Sequence, residues 1–423
     1  MATAPLKRAD QTIYDVVVVG GGPAGATAAY ELAKAGRKVA LLDREGRIKP
    51  CGGAIPPRAI DMFDIPQDLL VARIERARMV APSGAKVVIP IKDGYVGMVE
   101  RGEFDPWLRA RAEAAGVERH RGTYLRLERD DDGTALVCYR VKTGPRLAPM
   151  KLRARAVIGA DGANSQVAKQ AIRRADEGRY VFAYHEIVRS PGAEAVDRPP
   201  AIPADFDPLQ CDVVYDGAIS PDFYGWVFPH GPCTSIGMGT GDGDRDLKKA
   251  TADLRRRTGL DACETLRREG APIPLKPLPI WDNGRDVVLA GDASGVVAPS
   301  SGEGIFYAMY GGRLAADAVD EYLTTRQPAA LRRARRRFMR AHGGVFWILG
   351  KMQDYWYGSD ERRERFVYLC RDVDIQELTF DAYMNKELVK ARPMAHLRIF
   401  ARNVAHLTGL AKVEQQAESA RSA

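Results

Sequence analysis

The feature that most constrains the fold is the stretch YDVVVVGGGPAGATAAY at residues 14–30. Four consecutive valines indicate a strand buried on both faces, as in a parallel sheet, and small helix-compatible residues follow a glycine turn. Gly20, Gly22 and Gly25 have the G-x-G-x-x-G spacing, which allows a tight turn, close approach of backbone to a pyrophosphate, and close helix–strand packing. The stretch therefore predicts a strand, a turn and a helix whose N-terminus faces the anion of a dinucleotide.

A second apolar run, RKVALLDR at residues 37–44, predicts the next strand of the same sheet. It ends in Asp43, about 20 residues after the glycines, where a carboxylate that binds a ribose hydroxyl is expected. A βαβ unit without any ligand would show the same strands and helix. The position of Asp43 is therefore what favours dinucleotide binding.

Length, charge and cysteine content limit the other possibilities. A chain of 423 residues has room for about two or three domains. The net charge of +8 favours an anionic partner, without distinguishing nucleic acid, a phospholipid surface and a phosphorylated substrate. The six cysteines form no C-x-x-C pair, so we expect no metal, no disulfide framework and a reducing, cytoplasmic location. Without a signal peptide or an apolar run of about 20 residues, no membrane span is predicted.

The loop at residues 48–58 (IKPCGGAIPPR) contains paired glycines and paired prolines, which exclude regular structure and fix its kinks. Cys51 lies in this loop. A single cysteine is most often a small buried apolar side chain. Kinked loops of this kind, however, often form the walls of sites, so Cys51 is also a candidate functional residue.

The middle of the chain adds further strands. Residues 80–90 predict a short hairpin that turns at Pro82-Ser83-Gly84, within the nucleotide-binding part of the chain. A third buried strand at 154–158 runs into Gly159-Ala160-Asp161-Gly162, where glycines let backbone pass close to a ligand. Residues 175–284 show short alternating runs typical of a mixed β region. Within it, the glycines at 237, 239, 241 and 243 predict a hairpin turn.

A last parallel strand is predicted at residues 285–290 (RDVVLA), followed by Gly291-Asp292 and the glycine-rich segment 299–304. Helical spacing begins at Ile305. This order places the N-terminus of a helix near the carboxyl end of the strand, where it would face a bound ligand. If a flavin lies there, the helix start would stabilise the negative charge of its reduced form.

In this order the motifs resemble those of the aromatic-hydroxylase-like flavoproteins. The resemblance implies FAD as cofactor, with the adenosine half held by the first glycines and Asp43, a contact from Arg101, and the ribityl-pyrophosphate held by Asp292. The residues that it assigns to FAD are Gly20, Gly22, Ala24, Gly25, Asp43, Arg44, Cys51, Gly52, Arg101, Asp161, Gly291, Asp292, Pro299, Gly302, Gly304 and Ile305.

Within that superfamily the chain resembles the geranylgeranyl reductases, through KPCGGAIP at 49–56 and YGWVFP at 224–229. Residues 95–99 (YVGMV) and 378–381 (LTFD) resemble the branch that acts on chlorophyll or bacteriochlorophyll side chains. This implies an FAD-dependent reductase that saturates isolated double bonds of a geranylgeranyl chain to give phytyl, on the pigment or on the free diphosphate. NADPH is the expected electron donor, with ferredoxin as the alternative, because no separate nicotinamide motif exists.

The expected fold is α/β (α+β mixed). It has a flexible N-terminus at 1–12, a Rossmann-like FAD-binding domain at 13–174 and 285–345, an interleaved antiparallel β substrate domain at 175–284, and a helical C-terminal region at 346–423.

Alternation along a strand would place Tyr224, Trp226 and Phe228 on one face, and the resemblance adds Pro229 to the substrate site. An aromatic wall suits an isoprenoid chain, which offers apolar area and almost no hydrogen bonds. Ordinary core aromatics would show the same spacing. By resemblance Cys51 faces the flavin beside the substrate, so Cys51, or a water that it positions, is the candidate proton donor.

Two other functions stay open. A flavin-dependent aromatic monooxygenase has the same scaffold, but it would need polar groups that orient a phenol-like ring. A non-catalytic prenyl-binding escort protein has the same fold, and the intact FAD motifs argue against it.

The basic run between residues 332 and 340 and an apolar stripe at helical spacing in residues 394–407 predict contact with an anionic membrane surface, photosynthetic or cytoplasmic. A helix packed on the protein's own core would show the same stripe. Nucleic acid is not expected, because no binding module accompanies the charge. The sequence makes no prediction of the oligomeric state.

Overall fold

The computed structural model describes residues 12–376, apart from positions 45, 47, 92, 93, 144, 145 and 194–201, together with Lys386. The predictions for the N-terminus up to residue 11, for residues 378–381 and for the apolar stripe at 394–407 lie outside the described residues.

The strands follow one another in chain order as β1 (Ile13–Val19), β2 (Val39–Asp43), β3 (Ala54–Ile55), β4 (Leu70–Ile74), β5 (Arg76–Val80), β6 (Lys86–Pro90), β7 (Val96–Val99), β8 (Glu118–Arg121), β9 (Thr123–Arg129), β10 (Ala135–Thr143), β11 (Arg146–Gly159), β12 (Tyr180–Arg189), β13 (Gln210–Val214), β14 (Gly225–His230), β15 (Cys233–Thr240), β16 (Thr265–Pro274) and β17 (Val287–Leu289). The helices are α1 (Pro23–Lys34), α2 (Pro57–Met62), α3 (Arg101–Ala114), α4 (Gln166–Ala171), α5 (Leu247–Arg257), α6 (Ile305–Thr325), α7 (Arg332–Trp356) and α8 (Asp360–Leu369). Short 3-10 turns lie at Gln67–Leu69, Gly291–Ser294 and Pro328–Leu331.

The first sheet has the order β8-β2-β1-β11-β10-β9, with β17 paired to β11. Its centre is parallel: β1 lies between β2 and the end of β11, and the valines at 16, 17 and 18 are completely buried. Helices α1, α3 and α6 pack together on this sheet. The carboxyl ends of β1, β2, β11 and β17 lie at one edge, which is where ligands bind in parallel α/β sheets.

The second sheet is mostly antiparallel and has the order β16-β12-β15-β14-β13-β5-β6. The hairpin β5–β6, which the sequence placed with the nucleotide-binding part, joins this sheet through parallel pairing of β5 with β13. Residues more than 120 positions apart in the chain therefore form neighbouring strands. A small third sheet has the order β3-β7-β4.

The prediction that residues 48–58 have no regular structure was wrong for their second half. Strand β3 covers Ala54–Ile55, and helix α2 begins at Pro57. The pairing of β3 with β7 involves residues more than 40 positions later in the chain, and proline is tolerated at the first helical position because the N–H that it lacks would have no partner there.

The prediction of a hairpin turn at the glycines from 237 to 243 was wrong for the first two. Gly237 and Gly239 lie inside β15. A Cβ atom on Gly237 would lie 2.3 Å from the Tyr184 carbonyl oxygen, and one on Gly239 would lie 2.8 Å from the Phe223 ring. Close approach of neighbouring groups, rather than a turn, accounts for glycine at both positions.

An aromatic cluster joins the second sheet to the C-terminal helices. The Tyr215 ring lies 5.2 Å from Tyr357, just after α7, and 5.1 Å from Phe366 of α8. Trp356 of α7 belongs to the same buried cluster. These helices therefore cover the face of the second sheet on which Tyr224 and Trp226 lie. Within the described ranges, no helix has both the length and the apolar character needed to cross a bilayer.

Candidate active site

A continuous cavity of about 1060 Å³ extends from the carboxyl ends of the parallel strands to the aromatic side of the second sheet. This is at the upper end of the range for small-molecule pockets, so a cofactor and part of a long chain both fit. The residues predicted for FAD and substrate all line the cavity with four exceptions, namely Gly25, Pro229, Gly291 and Pro299.

The glycine turn after β1 is fixed by close packing. Gly20 has a φ angle of +105°, and a Cβ atom on it would lie 2.3 Å from the Ala160 carbonyl oxygen. A Cβ on Gly25 would lie 1.8 Å from the Gly20 oxygen. Gly22 differs, because its φ angle is an ordinary −79° and the nearest atom to a Cβ there is Arg101 Nη2 at 4.0 Å. The absent side chain of Gly22 thus leaves open space in the cavity wall.

Two helices begin at the cavity without a side-chain cap. Helix α1 begins after Gly22 and α6 begins after Gly304, and a glycine at the N-cap has no side chain to accept from the first amides. Free amide N–H groups at a helix start bind anions. The start of α1 would hold the pyrophosphate of FAD, and the start of α6 would face the edge of the flavin that becomes negative on reduction.

Asp43 lies where a ribose-binding carboxylate is expected. The Gly21 amide donates to its Oδ1 at 3.1 Å, and Arg109 Nη1 lies 3.3 Å from its Oδ2. Arg109 also donates to the Gly21 carbonyl at 3.1 Å. Arg109 was not predicted, although it follows Arg101 by about two helical turns. Arg44 is exposed at the rim of the same end of the cavity.

The carboxylates of Asp292 and Asp161, also predicted at the cofactor site, have different partners. Asp292 pairs with Lys49, so the loop that carries Cys51 contacts the segment expected to hold the ribityl chain. The Asp161 carboxylate instead accepts from the Ser165 hydroxyl at 2.5 Å and from the Gln166 amide at 2.7 Å. It therefore fixes the start of α4, and the backbone beside it forms the cavity wall.

Cys51 lies between the FAD-binding turns and the aromatic strand, which is β14 together with the preceding Tyr224. The buried Arg101 guanidinium donates two hydrogen bonds of 2.7 Å to Asp105. Although burial opposes its charge, the Asp105 carboxylate and the Cys51 sulfur raise the pKa of Arg101. On the other side, a Cβ on Gly52 would lie 3.2 Å from the Phe228 ring. The loop is thus in contact with both parts of the site.

The aromatic strand presents three rings to the cavity. The Tyr224 and Trp226 ring centroids are 6.0 Å apart, and those of Trp226 and Phe228 are 6.2 Å apart. Burial raises the pKa of Tyr224, and its hydroxyl donates to the Ser301 carbonyl at 2.6 Å. Pro229 does not line the cavity. Apolar side chains from other elements complete this half of the wall, among them Met79, Ile89, Val213, Ile273, Met352 and Leu369.

A buried ion pair in the cavity wall was not predicted. Glu303 pairs with Lys386, and both side chains are almost completely buried. Burial raises the pKa of Glu303 and lowers that of Lys386. The Glu303 Oε1 atom has no hydrogen-bond partner within the described part of the chain. Glu303 lies within the glycine-rich segment at 299–304 that was singled out from the sequence. Lys386 is 83 residues away, and no local sequence pattern pairs the two.

Substitution of Gly22 tests the cofactor site. Gly22→Val should abolish FAD binding with the fold retained, because its side chain would occupy the open space beside α1. Gly25→Val is the matched control and should instead destabilise the protein, since its Cβ meets the Gly20 carbonyl. Flavin absorbance per protein and thermal unfolding measure both effects. Stoichiometric FAD in folded Gly22→Val would contradict the assignment.

Comparison with known proteins gives the family. An FAD binding domain model matches residues 13–197. The geranylgeranyl diphosphate reductase of Rhodobacter capsulatus is 58% identical over 397 residues, which is 94% of this chain and 98% of that protein. The enzyme of the same name from Synechocystis is 37% identical and covers 93% and 98% of the two chains.

A solved structure supports the fold. The geranylgeranyl bacteriochlorophyll reductase-like protein from Thermoplasma acidophilum has a TM-score of 0.75, at 21% identity, and covers 90% of this chain and 99% of its own. The predicted α/β FAD-binding fold, the cofactor FAD and the family resemblance are thereby confirmed. The chain belongs to the geranylgeranyl reductase family of FAD-dependent oxidoreductases.

Proposed function

We propose that this protein saturates the isolated double bonds of a geranylgeranyl chain esterified to chlorophyll or bacteriochlorophyll, and so produces a phytyl chain. One observation carries the proposal: the aromatic half of the cavity is continuous with the FAD-binding turns, and Cys51 lies where they meet. A long apolar chain in that half would bring its double bonds to the cofactor.

When bound and reduced, FAD would supply a hydride for one alkene carbon. The residues of this chain hold the alkene and complete the reaction. The rings of Tyr224, Trp226 and Phe228 exclude water and attract the alkene carbon that gains positive charge and accepts the hydride. The Cys51 thiol, or a water that it holds, gives a proton to the other alkene carbon.

Two tyrosine hydroxyl groups of the wall, those of Tyr224 and Tyr357, argue against a phenolic substrate and its hydroxylation. Tyr224 donates to the Ser301 carbonyl at 2.6 Å and Tyr357 to the Ser300 carbonyl at 3.0 Å. Both hydroxyls are thereby engaged within the protein. An isoprenoid chain, which needs no hydrogen bonds, fits this wall better than a phenol does.

The charges in the cavity favour the pigment ester over the free diphosphate. A diphosphate requires cations that are free to bind it. Among the described residues that line the cavity, Arg44 is the cation without an acidic partner, and it lies at the adenosine end. The others form the pairs Lys49–Asp292, Arg76–Asp207, Arg101–Asp105, Arg109–Asp43 and Lys386–Glu303.

The substrate is tested with anaerobically reduced protein, given geranylgeranyl pigment and geranylgeranyl diphosphate separately. Mass spectrometry follows the loss of double bonds. We expect the pigment to be reduced at least about tenfold faster, which corresponds to about 1.4 kcal/mol in the barrier. Faster reduction of the diphosphate would reverse the substrate assignment, and reduction of neither, with FAD fully reduced, would refute the function.

We propose NADPH as the source of electrons, with reduced ferredoxin as the other candidate. Both donors are mixed anaerobically with the oxidised flavoprotein, and bleaching of the flavin absorbance is followed. Faster bleaching by ferredoxin would contradict the proposal.

Cys51→Ala should leave FAD bound and reducible while slowing alkene reduction by about 10²-fold, the lower end of the effect of a general acid. Cys370→Ala is the matched control, since Cys370 lines the same cavity on its aromatic side. Rates and the number of double bonds reduced are measured for both. Wild-type turnover and products in Cys51→Ala would leave Cys51 with a packing role.

We also propose that the outer face of α7 contacts an anionic membrane on the cytoplasmic side. Arg336, Arg340, Trp347 and Lys351 are exposed along one side of this helix, and Trp347 is 67% exposed. Ile348 and Met352 of the same helix line the cavity. An exposed tryptophan among basic residues is typical of an interfacial surface. Bilayer contact here would bring a lipid-soluble pigment near the cavity.

The triple variant Trp347→Ala, Arg336→Gln, Arg340→Gln should lose most of its cosedimentation with vesicles containing phosphatidylserine and keep its FAD. The control is Arg333→Gln with Arg337→Gln, because these arginines already pair with Glu321 and Asp317. Equal binding by the triple variant and the wild type would exclude this face.

The apolar stripe at 394–407 stays a separate prediction of membrane contact, tested by removing residues 391–423 and measuring binding to the same vesicles.

A further inference from the structure

A chain of buried polar side chains lies behind the aromatic strand. Trp226 Nε1 donates to Ser235 Oγ at 3.1 Å, and Ser235 Oγ lies 2.8 Å from His185 Nδ1. On the other side of the ring, His185 Nε2 lies 3.2 Å from Glu269 Oε2. Ser235 and His185 are almost completely buried. This chain therefore fixes the ring of Trp226 from its polar end.

The same chain continues to the Cys51 loop. Arg267 lies between two carboxylates, 3.0 Å from Glu269 and 3.3 Å from Glu100. Glu100 Oε1 lies 2.8 Å from His230 Nδ1, and His230 Nε2 lies 3.1 Å from the Gly52 carbonyl oxygen. The aromatic wall and the Cys51 loop are thus joined by one unbroken series of contacts.

The contacts of the two histidine rings fix their orientation. The Trp226 N–H can only donate, so the Ser235 hydroxyl oxygen accepts from it. The His185 ring lies between the Ser235 hydroxyl and the Glu269 carboxylate, and the His230 ring lies between the Glu100 carboxylate and the Gly52 carbonyl oxygen.

Both carboxylates of this network are stabilised in their charged form. The contact with His230 lowers the pKa of Glu100 to about 2, with Arg267 adding to the effect against the cost of burial. Burial favours protonation of Glu269, but His185 and Arg267 lower its pKa below the usual value. Glu100 and Glu269 are therefore ionised at neutral pH, with the Arg267 guanidinium between them.

The Cys51 loop is shaped around His230. Gly53 has a φ angle of +69°, and a Cβ atom on it would lie 2.5 Å from His230 Cε1 and 2.5 Å from the Val99 carbonyl oxygen. The Gly53 amide in turn donates to Cys51 Sγ at 3.4 Å. The position of the thiol therefore depends on where His230 holds the backbone of residues 52 and 53.

We propose that Glu100 and His230 are positioning residues that hold the Cys51 loop at a fixed separation from the aromatic strand. This separation sets which double bonds of a bound chain reach Cys51, and hence how far the chain is reduced. The effect on products rests on the proposed function, whereas the effect on the loop does not.

The loop is tested first, in FAD-loaded protein, by the rate at which iodoacetamide alkylates Cys51, measured by peptide mass spectrometry. His230→Gln and Glu100→Gln should change this rate by about threefold or more, the scale of a partly buried ion pair. Glu100→Asp keeps the charge and should restore most of the wild-type rate. Glu264→Gln is the control, because it removes an exposed ion pair with Arg189 at the edge of the same sheet. This variant should alkylate Cys51 at the wild-type rate.

The products are tested next, with the geranylgeranyl substrate that the wild type reduces. Both Gln variants should accumulate partly reduced chains and lower kcat with little change in KM, and Glu100→Asp should restore the product pattern. Wild-type alkylation rates in both Gln variants would overturn the proposal, as would altered alkylation with wild-type products. If the wild type reduces no geranylgeranyl substrate while the alkylation rates change as expected, the proposed function fails and the positioning of the loop stands.

Discussion

The site depends on the close approach of the β1–α1 turn to the end of β11. Gly20 adopts a φ angle that favours glycine and lies against the backbone of Ala160, and Gly25 lies against Gly20. Neither contact tolerates a side chain. This packing brings the carboxyl ends of the parallel strands into one wall and leaves Gly22 open to the cavity. The positions of Asp43, Arg101 and the start of α1 follow from it.

A second constraint is that an antiparallel sheet closes the other side of the cavity. Strands β5 and β6 of this sheet precede β11 in the chain, and strands β12 to β16 follow it. Aromatic side chains of the sheet contact α8 and the end of α7, so these helices cover it. The cofactor wall is thus formed by backbone and polar groups, and the opposite wall by rings and aliphatic side chains. An apolar chain beside a flavin is the ligand pair that such a cavity accommodates.

Local patterns predicted much of this arrangement. The glycine spacing, Asp43, Asp292, the helix starts of α1 and α6 and the alternation of Tyr224, Trp226 and Phe228 each involve short stretches of sequence. Contacts between distant residues had no such signal. Examples are the pairing of β5 with β13, the pair Glu303–Lys386, and the contact of His230 with Glu100, 130 residues earlier.

Two residues have partners that the local sequence did not show. Gly237 was wrongly predicted in a turn, because the close neighbouring strand β12 explains the glycine. Asp161 lines the cavity, and its carboxylate also fixes the start of α4 through Ser165 and Gln166. In both cases the residue type was informative, but its partner is known only once the chain has folded.

The central claim is that the cavity places a geranylgeranyl double bond in contact with reduced FAD. Its most direct test is a single turnover without oxygen, in which stoichiometrically reduced protein, freed of excess reductant, is mixed with geranylgeranyl pigment. We expect flavin absorbance to return only when the substrate is present, with one double bond saturated for each flavin reoxidised. Flavin that stays reduced until oxygen is admitted, and a product that then carries a new hydroxyl group, would contradict it.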